Sequence, residues 1–173
     1  MTNIRIQDEI MSYIKGDLYF EVVDKNTNEV VDDFHDHNVV VYDSGKILIK
    51  LIYEGLNDYF VRVAKIGDDV GDGDENDPQP QSRENTLDDL NEIYSTSNMT
   101  IDYLDEWSIT YNIFISGEDV MQQYPEEDSV GFTSIGLVSN NDILFSFRRF
   151  PVRTITENFN VNIIWKIYYE PKN

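Results

Sequence analysis

The sequence predicts a mainly β chain: an antiparallel β-sandwich with one short α-helix at about residues 46–55 and a second helical segment at the N-terminus. Three observations carry that expectation. Along residues 159–169, Phe159, Val161, Ile163, Trp165, Ile167 and Tyr169 share one parity against Asn160, Asn162, Ile164, Lys166 and Tyr168, a period of two that suits a strand and not a helix. The same pattern recurs through Trp107, Ile109, Tyr111, Ile113 and Ile115, opposed by Ser108, Thr110, Asn112, Phe114 and Ser116. Each strand then carries a tryptophan on an apolar face, and such faces need a second layer to bury them.

The elements follow in order. Residues 1–15 set Ile6, Ile10, Met11 and Ile14 at helical spacing, so an amphipathic segment is expected there, either a cap on the domain's own core or a docking arm. Residues 16–173 are expected to form a single β-sandwich domain. Leu18, Phe20 and Val22 alternate with Tyr19, Glu21 and Val23, residues 24–28 supply a turn, and Val30 and Val31 resume, which predicts a hairpin. After Phe34, His35, Asp36, His37 and Asn38, the run Val39, Val40 and Val41 predicts a further strand. Asp43 or Ser44 is placed to cap a helix whose stripe is Ile47, Leu48, Leu51 and Ile52 and which stops at Gly55. Residues 59–66 then read as a strand leading into Gly67.

The next stretch, residues 67–82, is almost devoid of apolar side chains and predicts a long exposed acidic loop. Leu87, Leu90 and Ile93 suggest a short helical piece, and residues 116–119 and 125–128 frame another acidic loop. Ile143, Phe145 and Phe147 predict a strand that Pro151 interrupts before the final one.

Composition narrows the function classes. With 33 acidic and 13 basic residues among 173, the formal charge is −20, which repels a phosphate backbone and an anionic membrane and argues against a nucleic-acid or membrane partner. The absence of cysteine removes disulfides and thiol chemistry. No apolar run of signal-peptide or membrane-spanning type occurs, so a soluble chain not exported by that route is expected.

Candidate sites are few. The loop 67–82 invites calcium, but with Asp68 first and Gly73 at the turn, Val70 and Gln79 fall at ligand positions of an EF-hand, leaving a looser site or a solvated loop. His35 and His37, two apart on a strand, point the same way; a homotrimer would gather three pairs on one metal, and a partner-facing edge is the other reading. Adjacent carboxylates such as Asp105 and Glu106, or Glu126 and Glu127, face opposite ways on a strand and do not converge on a substrate. No phosphate-cradling glycine loop, nucleophile elbow or zinc-protease motif is present, so no catalytic, cofactor or metal residue is assigned and a non-enzymatic protein is expected. Eleven tyrosines and nine phenylalanines suit core and interface, or a glycan-binding face.

Several ordered motifs resemble a family of small tailed-bacteriophage virion proteins, associated with tails, fibres and baseplates. They are His37-Asn38-Val39-Val40-Val41 followed by Ser44-Gly45-Lys46-Ile47-Leu48-Ile49, then Val63-Ala64-Lys65-Ile66-Gly67 before a variable loop and Leu87. Ile135-Gly136-Leu137, Leu144-Phe145-Ser146, Arg149-Phe150-Pro151 and the closing Val161 to Ile167 with Trp165 complete the likeness, over about residues 34–169. Ser134 stands where that family usually has glutamate, and the 67–82 loop is longer and more acidic. The resemblance implies a non-enzymatic structural virion subunit and does not itself give its place in the particle. The leading expectation is a subunit made in the host cytoplasm and seated at the tail tip or baseplate, where it connects larger baseplate or fibre proteins and is open to homo-oligomerisation. A capsid head-fibre or decoration protein and a carbohydrate-binding module for host-surface glycans are the alternatives.

Overall fold

Residues 14–24 and 159–169, where buried and more exposed side chains alternate, each form a strand of 11 residues. The computed structural model describes residues 14–54, 59–105 and 107–170. In order, these make β1 (Ile14–Asp24), β2 (Val30–Val40), α1 (Ser44–Glu54), β3 (Val61–Gly67), a 3-10 turn (Leu87–Leu90), β4 (Glu92–Thr96) and β5 (Met99–Asp105). They continue with β6 (Ser108–Ile115), α2 (Gly117–Met121), β7 (Val130–Ser139), β8 (Leu144–Ile155) and β9 (Phe159–Tyr169). The expected N-terminal helix falls mostly on residues 1–13, which lie outside the described residues, while Ile14 and Lys15 belong to β1.

The fold is mainly β, as expected, and its two layers are one sheet. Nine antiparallel strands follow the order β4-β3-β7-β8-β2-β1-β9-β6-β5 in a nearly closed curl. β2 belongs to both layers: it pairs with β1 from Val30 to Asn38, and its last residues Val39 and Val40 pair with Phe147 and Ser146 of β8. Asn38 marks the junction; its side-chain amide donates to the Ser146 hydroxyl, which donates to the Val39 carbonyl at 2.9 Å.

Between the layers lies the main core. Leu18, Phe20 and Trp165 from one layer meet Ile66, Phe132, Leu137 and Phe150 from the other, all at most 1% exposed. Phe20, Phe34, Phe132 and Phe150 pack with ring centroids 5.1–6.1 Å apart, and each fully buried ring adds roughly 1.5–3 kcal/mol. A smaller cluster of Val41, Leu90, Val138, Leu144 and Phe147 covers the other face of the β7–β8 layer. β7 is thus buried on both sides, and its buried residues run unbroken from Phe132 to Ser139.

Four expectations are corrected. The residues from Val30 to Val40 form one strand rather than two. The polar run survives inside it because Asp32 and Asp36 meet Arg153 and Arg148 of β8 in ion pairs, the former at 3.0 Å. Pro151 does not interrupt β8: it lies in the register irregularity between Phe132 and Ser134 of β7, and β2 pairs with β8 only at Ser146 and Phe147, so no ladder bond is lost to its missing N–H. Trp107 lies outside the core, 60% exposed, because it precedes β6 at the rim. Ile52 is 82% exposed rather than part of the buried stripe of α1, whose inward side is Ile47 with Leu48 and Leu51.

Candidate interaction surfaces

The acidic loop leaves β3 at Gly67, where the backbone of Leu90 passes so close that an added Cβ would sit 1.8 Å from its carbonyl oxygen. From there residues 68–82 are strapped over β7 and β8. Arg149, 5% exposed, pairs with the Asp69 carboxylate and donates to the Gln79 carbonyl at 3.4 Å. Thr133 donates its hydroxyl proton to the Asp69 carbonyl at 2.9 Å, and the Val152 N–H donates to the Glu75 carbonyl at 2.6 Å. Asp74 accepts the N–H groups of Asn76 and Asp77 at 2.8 and 3.0 Å. Its charge therefore closes a turn. The loop is exposed in composition yet anchored in position, and among the described residues no group of three or more His, Cys, Asp or Glu side chains is arranged to hold a metal ion.

His35 and His37 share the outer face of β2, as their spacing requires. His35 meets the Tyr19 ring edge-on at 6.2 Å, and His37 Nδ1 lies 2.5 Å from Asp17 Oδ1. Of the carboxylate pairs, Glu106 lies outside the described residues, while Glu127 lines a cleft of about 690 Å³ beside α2 with Glu118, Asp128 and Glu157. Glu118 is held below the ordinary carboxylate range by its bond to Lys25 at 2.8 Å.

No family model, curated protein or solved structure matches the chain. The surfaces must be weighed on their own chemistry.

The most apolar of them is on α1. Ile49, Ile52 and Tyr53 are 65, 82 and 86% exposed, and spacings of three and four residues gather them on one side of the helix. The opposite side, with Ile47 1% exposed, packs towards β8. A second apolar site is the rim where Trp107 stacks on Tyr169, ring centroids 5.8 Å apart, with Tyr103 of β5 80% exposed. Among the described residues no helix is long and apolar enough to cross a membrane.

Sequence reasoning passed over two of these features. Ile49 stands outside the stripe that defined α1, and Arg149 and Asp69 are 80 residues apart. A signal for the first was available: Ile47, Leu48, Ile49, Leu51, Ile52 and Tyr53 cover more of the circumference of α1 than one buried face needs.

Proposed function

We propose that the chain is a non-enzymatic structural subunit of a tailed-phage virion, seated at the tail tip or baseplate, where it connects larger baseplate or fibre proteins. The observation that carries this reading is the α1 face of Ile49, Ile52 and Tyr53, presented outward from a helix whose other side is anchored in the domain. Exposed apolar side chains clustered on a rigid element suit a protein partner. The formal charge of −20 favours a partner whose seat is apolar with a basic rim, and fields of that kind steer encounter. The ordered likeness to phage virion proteins, running from the end of β2 to β9, supports the same reading.

Imaging of intact particles with a label fused to this chain tests it. Density at the distal tail is expected. Density on the capsid instead would favour a head-fibre or decoration role, and particles without label would sink the proposal.

The exposed ring stack of Trp107 on Tyr169 favours one second reading, a module that binds host-surface glycans, since such rings stack on sugar C–H faces. Trp165 is fully buried, so Trp107 is the tryptophan that a sugar would reach. A saturable change in emission with cell-wall sugars, lost in Trp107→Phe, is the outcome that reading requires.

A further inference from the structure

The nearly closed curl leaves a gap, and its two banks are strand edges. β4 and β5 are the end strands of the sheet, although only Ser97 and Asn98 separate them in the chain. β4 pairs with β3 from Ala64 to Gly67, so the Val61–Val63 part of β3 extends past it with β7 on one side alone. Among the described residues, β5 pairs with β6 on one side and with no strand on the other. Between these edges lies a groove of about 500 Å³ lined by Arg62, Ser97, Met99, Ile101 and Asn140.

Backbone directions follow from two hydrogen bonds. The Phe114 N–H donates to the Asn98 carbonyl at 3.0 Å, which sets the hydrogen-bonded pairs of the regular part of the β5–β6 ladder at Thr100 and Asp102 and turns the backbone of Ile101 to the groove. The Asn140 N–H donates to the Phe60 carbonyl at 3.0 Å, so Phe60 faces the β7 side and the backbone of Val61 faces the groove. Met99 and Ile101 supply apolar walls packed on the main core. Arg62 is exposed at the groove, with its guanidinium 5.6 Å from the Phe60 ring and no ion pair to any described residue. Its charge reaches the phenol of Tyr111, the residue paired with Ile101 across the β5–β6 ladder.

We infer that this groove receives an extended segment of a partner protein as an added strand, which pairs with both banks and brings a carboxylate to Arg62. Paired edges call for backbone donors and acceptors in extended form, apolar walls call for alternate apolar side chains, and a guanidinium with no ion pair among the described residues calls for an acid. A second copy of β5 is a poorer occupant, because Asp102 would then oppose like charge. The inference deepens the assembly reading and rests on it, since a partner must supply the strand.

The probe is a panel of peptides of about eight residues, long enough at about 3.3 Å per residue to span β5, alternating valine and threonine with one glutamate walked along the valine positions. At least one is expected to bind and to slow amide exchange at Val61 and Ile101. Its glutamine version should bind about tenfold more weakly, a difference lost in Arg62→Gln. No binding across the panel, binding that leaves those amides exchanging as before, or indifference to Arg62→Gln overturns the inference. Photo-reactive residues at Tyr103 and, separately, at Ile52 in assembled particles distinguish the two proposals. Adducts from Tyr103 support the added strand; adducts from Ile52 alone sink it and leave the assembly reading standing; adducts from neither sink both.

Discussion

Arg149 shows how one buried charge organises a surface that would otherwise be solvated. Its side chain is 4% exposed and that of Asp69 20%, so removal of either partner leaves a charge in a poor dielectric. Arg149→Met is expected to cost about 3 kcal/mol in urea unfolding, with a double-mutant cycle against Asp69→Asn returning much of that as coupling. Additive costs would remove the pair from this role. Tyr111 and Lys65 set the alkaline limit. Burial pushes the Tyr111 phenol far above its ordinary value. Burial pulls the Lys65 amine down, but its bonds to Glu92 and Asp142 outweigh that and leave it raised. Both folded values exceed the unfolded ones of 10.0 and 10.5, so their stabilisation is complete below these and is lost as pH rises through the folded values. Melting temperatures should fall above pH 10, and less in Tyr111→Phe than in the parent chain.

Elements differ in how openly the sequence announces them. β6, β9 and the β1–β2 hairpin were legible because each has one buried face, and α1 was read to within two residues at its start, Ser44 against residue 46. β7 was not, because burial on both sides erases the alternation that marks a half-buried strand. β4 and β5 escaped because edge strands carry Glu92, Asp102 and Asp105 among their apolar residues, and α2 is only five residues long. The groove was invisible for a different reason. Which strands end a sheet is a property of strand order, and no local pattern records it. The outward face of α1 makes a sharper prediction: Ile52→Lys should change stability by less than about 0.5 kcal/mol, yet reduce incorporation of the subunit into particles. Normal incorporation would remove α1 from the docking role.

For the whole molecule, charge and continuity matter most. A formal charge of −20 sets up a strong negative field, and in the proposed role this makes encounter with a basic partner sensitive to salt. Raising ionic strength from about 0.05 to 0.5 M should slow association with assembled particles without changing the melting temperature by much; an association rate indifferent to salt would show that apolar contact alone governs it.

Sharing β2 between both layers has a consequence for how the protein comes apart. The strand runs from its β1 ladder at Val30–Asn38 directly into its β8 ladder at Val39 and Val40, and both layers bury one main core between them, so melting either layer strips the cover from the other. Heat should therefore produce one calorimetric peak whose van't Hoff and measured enthalpies agree.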